Sequence, residues 1–322
     1  MDLAAPSASA SAAGFEVLPR DLSAYRAGNT GIDYVHRFAS GRAGPHVMVN
    51  ALTHGNEFCG MVAVCDLLDR GVRPKLGTLT LSFANVAAYE TFDAGNPFES
   101  RLITHNLNRI WSTDWLDGAE DSVELCRARA LRPAVAGADH ILDIHSTSHD
   151  VVPFWVYPAY PRNAAVALAL PRPAVHLVMP AGLGSGTPLI QHGAHGRTDS
   201  DTAGCALVVE CGQHFKQASA DLAIGVANDF LAHFGLIDRP DAAPAATAAP
   251  RRFELLRTHV VQDERFAFVR PAVGFETFAK DELIATDGAL EIRAPCDDCT
   301  IFMPARVAIV GREGFYLTRP LD

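Results

Sequence analysis

What this sequence lacks narrows its class first. Nowhere does it hold the roughly 18 consecutive apolar residues that a bilayer-spanning helix needs, so no membrane partner is expected. Its basic residues form no cluster, and 27 Lys+Arg against 37 Asp+Glu leave a formal charge of −10. A surface of that sign repels phosphate backbones, which argues against a nucleic-acid partner. The opening MDLAAPSASASAAG has neither the basic segment nor the hydrophobic block of a secretion signal, and residues 1–14 are expected to form a frayed tail. The cysteines lack a framework: there are 7, an odd number, scattered through apolar segments such as MVAVCDLL and GCALVVECG. That pattern suits reduced, buried thiols in a cytoplasm rather than disulfides. No repeat recurs at a fixed period.

What is present is enough for a core. The chain has 322 residues, 48% of them apolar and 20% charged, which suits an α/β domain with a smaller second one. GIDYVHRFAS, PHVMVNAL, GTLTLSFANV, HILDIHS and CALVVECG read as strands. EFCGMVAVCDLLDRG, with Phe58, Met61, Cys65 and Leu68 on one stripe and Gly71 as its stop, has helical spacing, as do SVELCRARALRPAV and DLAIGVANDFLAHFGL. Strands alternating with helices predict a mixed, mostly parallel sheet flanked by helices, with its chemistry at the carboxyl ends of the strands. DRPDAAPAATAAPRR has no apolar period and reads as a linker over 238–252. It separates a domain over 15–237 from a small β-rich domain over 253–322.

Three strands end in polar groups. VNALT precedes His54 and Glu57, ILDI precedes His145, and ALVV precedes Glu210. Two imidazoles and a carboxylate are a zinc shell that leaves one coordination position open for water. His54 and Glu57 stand at i and i+3, on one face of a first helical turn. Asp143, two residues before His145 on one strand, points to the same side and suits support of a ligand. Each group also has a plain structural role: Glu57 capping a helix, His145 as a strand-end histidine, Glu210 as a satisfied core carboxylate. In SRLITHNLNRIW, Arg101, Asn108 and Arg109 suit a carboxylate clamp and a carbonyl polariser, or a solvated loop. CDDC at 296–299 has CxxC spacing with no second pair and suits a hairpin turn. GLGSG at 182–186 lacks the strand-to-helix setting of a dinucleotide loop.

THGNE, SRLITHNLNRIW, LDIHST and VVECG together resemble, in order, the signatures of the aspartoacylase and succinylglutamate desuccinylase family, which has the zinc carboxypeptidase-like fold. The resemblance covers about residues 30 to 235, and the linker and small β-domain are similar to the family's layout. It implies one Zn2+ held by His54, Glu57 and His145, with Glu210 as catalytic glutamate. Arg101 would polarise the scissile carbonyl, and Asn108 and Arg109 would hold a substrate carboxylate. Where the family pattern reads DLNR, Asn106 replaces the aspartate, which is expected to loosen hydrogen bonding within that loop. Arg197, in HGAHGRTDSD, is the nearest candidate for a further substrate-binding arginine, out of register with the family's. The implied reaction is hydrolysis of a small N-acylated amino acid or amine by activated water, with Glu210 as proton carrier. The alternatives are a zinc carboxypeptidase for short peptides and a metal-binding module without turnover. A homo-oligomer is compatible with all three.

Overall fold

The computed structural model describes residues 14–180, 185–198, 204–238 and 249–321. In chain order its strands are β1 (Val35–Ala39), β2 (His46–Ala51), β3 (Thr78–Phe83), β4 (His140–Thr147), β5 (Phe154–Pro158), β6 (Val175–Met179), β7 (Ala206–Gln213), β8 (Arg251–Val260), β9 (Ala267–Phe268), β10 (Thr277–Phe278), β11 (Leu283–Asp287), β12 (Leu290–Arg293), β13 (Cys299–Phe302) and β14 (Glu313–Leu321). The helices are α1 (Phe58–Asp69), the one-turn α2 (Val86–Tyr89) and α3 (Thr113–Leu116), α4 (Val123–Ala136), α5 (Pro161–Ala169) and α6 (Gln217–His233).

One sheet of 11 strands runs in the order β1-β3-β2-β4-β7-β5-β6-β8-β14-β13-β10. β2, β3, β4 and β7 are mutually parallel, β5 runs antiparallel to β7 but parallel to β6, and β6 is parallel to β8. From β8 to β10 every pairing is antiparallel, and a second sheet, β12-β11-β9, completes the C-terminal β region. From β3 to β8 the sheet is mixed and mostly parallel, as the sequence predicts. β5, β6 and α5, in a proline-bearing stretch with little period, are additions to that reading. Of the segment read as a linker, 239–248 lie outside the described residues, and Arg251 and Arg252 already belong to β8. Residues 1–13 of the tail and 182–184 of GLGSG also lie outside the described residues.

The central strands bury both faces, which is why they read as unbroken apolar runs. Val47, Val49, Leu142, Ile144, Leu207 and Val209 pack under α1 and α6, whereas Met48, Ile141, Ala206 and Val208 pack under α4. Each large apolar side chain so buried contributes about 1.5–3 kcal/mol. α1 is buried around most of its girth, through Phe58, Met61, Val64, Cys65 and Leu67, because α6 covers its outer side. Among the described residues no helix is long and apolar enough to cross a membrane.

Strand alternation sets which side chains share a face. Asn50 continues the Met48 side of β2, Asp143 and His145 continue the Ile141 side of β4, and Glu210 continues the Val208 side of β7. Toward the carboxyl ends of these three neighbouring strands, the face under α4 turns from apolar to polar.

Candidate metal centre

The chain leaves β2 through Leu52, which takes a left-handed φ of 57°, a strained conformation for a branched side chain. Backbone bonds from Ala84 N to Ala51 O and from Asn85 N to Leu52 O, both 2.7 Å, hold that bend. Gly55 then lies against the turn that carries Arg101: a Cβ there would stand 2.3 Å from Ser100 O. Its own N–H donates to Arg101 O at 3.1 Å. Glu57 occupies the N-cap position of α1, yet its carboxylate makes no capping bond. Glu57 therefore does not act as a side-chain cap of α1.

The carboxylate faces two imidazoles instead. Glu57 Oε1 lies 2.8 Å from His54 Nδ1, and Oε2 lies 2.9 Å from His145 Nδ1. One ligand atom from each of the three residues falls within 4.8 Å of the others, and all three side chains are buried. Beyond them, His145 Nε2 donates to Asp143 Oδ2 at 2.8 Å. Asp143 Oδ1 accepts from Asn50 Nδ2 and Thr53 Oγ1, each at 2.8 Å. Arg101 closes one side: Nη1 donates to Glu57 Oε1 at 2.9 Å and Nη2 lies 3.1 Å from His54 Nε2. Glu210 pairs in register with His145 across β4 and β7, next to an irregularity in that pairing, the kind of bulge that re-aims side chains beside active sites.

Electrostatics follow from burial and this neighbourhood. Burial, with Arg101 beside it, lowers His54 to about 4. His145 goes the other way: burial disfavours its charged form, but Asp143 and Glu57 outweigh burial and raise it well above the ordinary range. For Glu57, burial is outweighed by the two imidazoles, which hold it well below its usual value. Burial pushes the Glu210 carboxyl up to about 8, and Glu57 and Asp143 add to the rise.

A divalent cation fits this set. Two imidazole nitrogens and a carboxylate are typical donors for Zn2+. Both Nδ1 atoms face oxygens of one carboxylate, an arrangement of lone pairs that is favourable only with protons or a cation among them. Glu210 Oε2 is buried without a hydrogen-bond partner. Such an atom is costly unless a ligand or water completes it.

The remaining sequence candidates fall into two groups. The loop 103–111 sits on the same face of the sheet. Glu124, at the start of α4, accepts from the N–H groups of Ile103, Thr104 and His105 at 2.7–3.2 Å and anchors the loop. Asn106 Oδ1 lies 2.9 Å from His54 Nε2 and accepts from Asn108 N at 2.9 Å, so the expected loosening does not occur. Asn108 Oδ1 accepts from Leu189 N at 3.1 Å. Arg109 pairs with Glu313 of β14 and also donates to Tyr316 Oη at 3.0 Å. Arg197 is not brought to this cluster. Its carbonyl accepts from Arg162 Nη2 at 2.7 Å, and its neighbour His195 bonds Ala138 O, at the opposite end of β4 from His145. Cys296 and Cys299 belong to no metal-holding group among the described residues.

Sequence reasoning missed the C-terminal partners. Glu313 and Tyr316 come from a region with no apparent link to the first strands. A register shift between Glu313 and Phe315 turns Glu313 to the Tyr316 side of β14. His214 was also missed, although it follows Glu210 by only four residues. It is buried, stands 2.8 Å from Ser146 Oγ through Nδ1, and is lowered to about 3 by burial.

A family model described as the succinylglutamate desuccinylase/aspartoacylase catalytic domain matches residues 43–228. No curated protein matches the chain significantly. Among solved structures, a succinylglutamate desuccinylase from Vibrio cholerae aligns with a TM-score of 0.68 at 18% identity, covering 90% of this chain and 86% of that one. A succinylglutamate desuccinylase/aspartoacylase from Rhodobacter sphaeroides gives 0.63 at 20%, covering 87% of each chain. The product-bound ectoine utilization protein of Ruegeria pomeroyi gives 0.61 at 16%, covering 89% and 88%. At these identities the likeness establishes the fold.

Proposed function

Because the chain belongs to the succinylglutamate desuccinylase/aspartoacylase family, we propose that it is a zinc-dependent hydrolase cleaving the amide bond of a small N-acyl amino acid or related N-acyl amine. The observation that carries this reading is the buried His54, Glu57 and His145 cluster with Glu210 in register beside it. His54, Glu57 and His145 would hold the ion, which when bound supplies Lewis acidity toward the amide carbonyl and toward water.

The protein's own groups do the rest. Glu210 takes a proton from the attacking water and returns it to the departing nitrogen. Burial raises that carboxyl, which favours return of the proton to the nitrogen, and a bound cation would favour the ionised form that takes the proton from water. Arg101, 39% exposed at the edge of the cluster, donates to the carbonyl oxygen as negative charge develops there. Asn108 and Arg109 orient the amine-side portion of the substrate. The fork of Arg109 is engaged by Glu313, and its remaining edge also serves Tyr316 Oη and Asn108 O, so that contact falls to the second Nη1 hydrogen. Arg197 is assigned no part. With 7 free thiols, we place the enzyme in the cytoplasm, acting on a small molecule either as a single chain or as a homo-oligomer.

The test is a rate comparison on the purified protein with its metal content measured. N-acetyl and N-succinyl amino acids should be hydrolysed faster than dipeptides. Preference for dipeptides would make the protein a carboxypeptidase, and stoichiometric Zn2+ without turnover of any of these substrates would leave a binding module.

A further inference from the structure

We infer that Asn106 is a positioning residue for His54, fixing the tautomer of that imidazole through a neutral amide oxygen. The inference rests on the reading of His54, Glu57 and His145 as ligands of a divalent cation. The backbone sets the orientation of the Asn106 amide. Asn108 N–H donates to Oδ1 at 2.9 Å and Arg109 N–H donates to Asn106 O at 2.9 Å, the bonds of an Asx-type turn. With Oδ1 thus an acceptor, His54 Nε2 at 2.9 Å meets it favourably only as N–H. Nδ1 is then left with its lone pair toward Glu57, where a cation needs it. Arg101 Nη2 lies 3.1 Å from the same Nε2. A guanidinium can only donate and therefore favours the opposite tautomer. With a cation at Nδ1 the ring proton must sit on Nε2, and Asn106 Oδ1 is then its acceptor.

The two imidazoles are consequently held by unlike partners. His145 gives its outer proton to the carboxylate of Asp143, whereas His54 gives its own to an amide. A carboxylate in that outer position raises the basicity of the ligating nitrogen, and an amide fixes the ring without doing so. The structure thus combines one strong and one moderate imidazole donor. An aspartate at position 106 would keep the turn acceptor and change only the charge.

The experiment measures the dissociation constant for Zn2+ alone, by competition with a chelator. It uses the full-length wild type, Asn106→Asp and Asn106→Ala, with thermal unfolding of the ion-free proteins as a check on folding. Removing an outer-shell partner typically costs 10–100-fold in metal affinity, so Asn106→Ala should bind at least about tenfold more weakly, and Asn106→Asp about tenfold more tightly. Equal weakening by both variants would show that Asn106 only shapes the loop and would overturn the inference, as would affinities within about twofold of the wild type for both. If Asn106→Ala does not fold, Asn106→Asp alone decides by its sign. A wild type that takes up no Zn2+ would overturn the metal reading itself, and this inference with it.

Discussion

Arg109 and Glu313, 204 positions apart in the chain, meet as a two-pronged ion pair, with Nε 3.0 Å from Oε1 and Nη2 2.8 Å from Oε2. The guanidinium is 14% exposed and the carboxylate 24%. Removing one partner of a buried pair strands the other's charge, so Glu313→Ala should cost about 3–5 kcal/mol of stability. Denaturant unfolding of the ion-free protein measures it, and a loss below about 1 kcal/mol would mark the pair as a surface bridge.

The same pair sets an acid limit. Burial alone would raise Glu313, but Arg109 outweighs it and lowers the carboxyl from 4.5 to about 2. A carboxylate depressed in the folded state stabilises fully above its unfolded value, and that stability is lost as pH falls through the folded one. Wild type should therefore lose stability between about 4.5 and 2 that Glu313→Gln does not lose. Melting temperatures across that window decide the matter, and parallel curves for the two proteins would refute it.

Glu210→Gln tests the proton carrier. The amide keeps the shape and loses the base, so kcat should fall about 10²–10⁴-fold while Zn2+ content stays near that of the wild type. Turnover at the wild-type rate would remove Glu210 from the mechanism.

Ion binding should release protons. His145 is raised well above its ordinary value in the ion-free protein, and a ligand must be deprotonated before it coordinates. Zn2+ affinity should accordingly weaken as pH falls, with a proton released that an indicator dye can count. For the ion-free protein the sign is opposite: a raised histidine stabilises below its unfolded value, and that contribution fades as pH climbs through the folded one. Calorimetry in two buffers that shows no proton release would contradict this.

Arg197→Ala should leave KM within about twofold of wild type, as expected of an exposed position away from the reacting groups. A large rise in KM would bring Arg197 back to the substrate.

How much of the fold and site was legible in the sequence depends on how far each signal travels along the chain. β2, β4 and β7 announce themselves as unbroken apolar runs, and a polar residue where such a run stops has few places to be other than a strand end. His54, Glu57, His145 and Glu210 were therefore found locally. Asp143 came from strand alternation alone, and its bond to His145 has the expected direction. The loop residues needed a partner that no local pattern names, and Glu124, lodged in a helix start, gives no sign that it holds three amides of a distant loop. The pairing of Glu313 depends on an irregularity in β14 that shifts its side by one residue, and composition carries no trace of that. Arg197 was placed by nearness in sequence to Glu210, and nearness failed because β7 runs the length of β4 before it reaches Glu210, while the segment of Arg197 is bonded at the other end, by Ala138.

The parallel pairing of β6 with β8 has a practical meaning for anyone dissecting this protein. A chain ended after α6 would leave the backbone groups of β6 on that side without partners, an invitation to intermolecular pairing. The same cut would take away Glu313 and leave Arg109 a buried, unmatched cation. The region beyond α6 cannot be treated as a detachable ornament: it closes the sheet and neutralises Arg109 of the 103–111 loop in one step, so fragments that lack it should aggregate before they can be assayed.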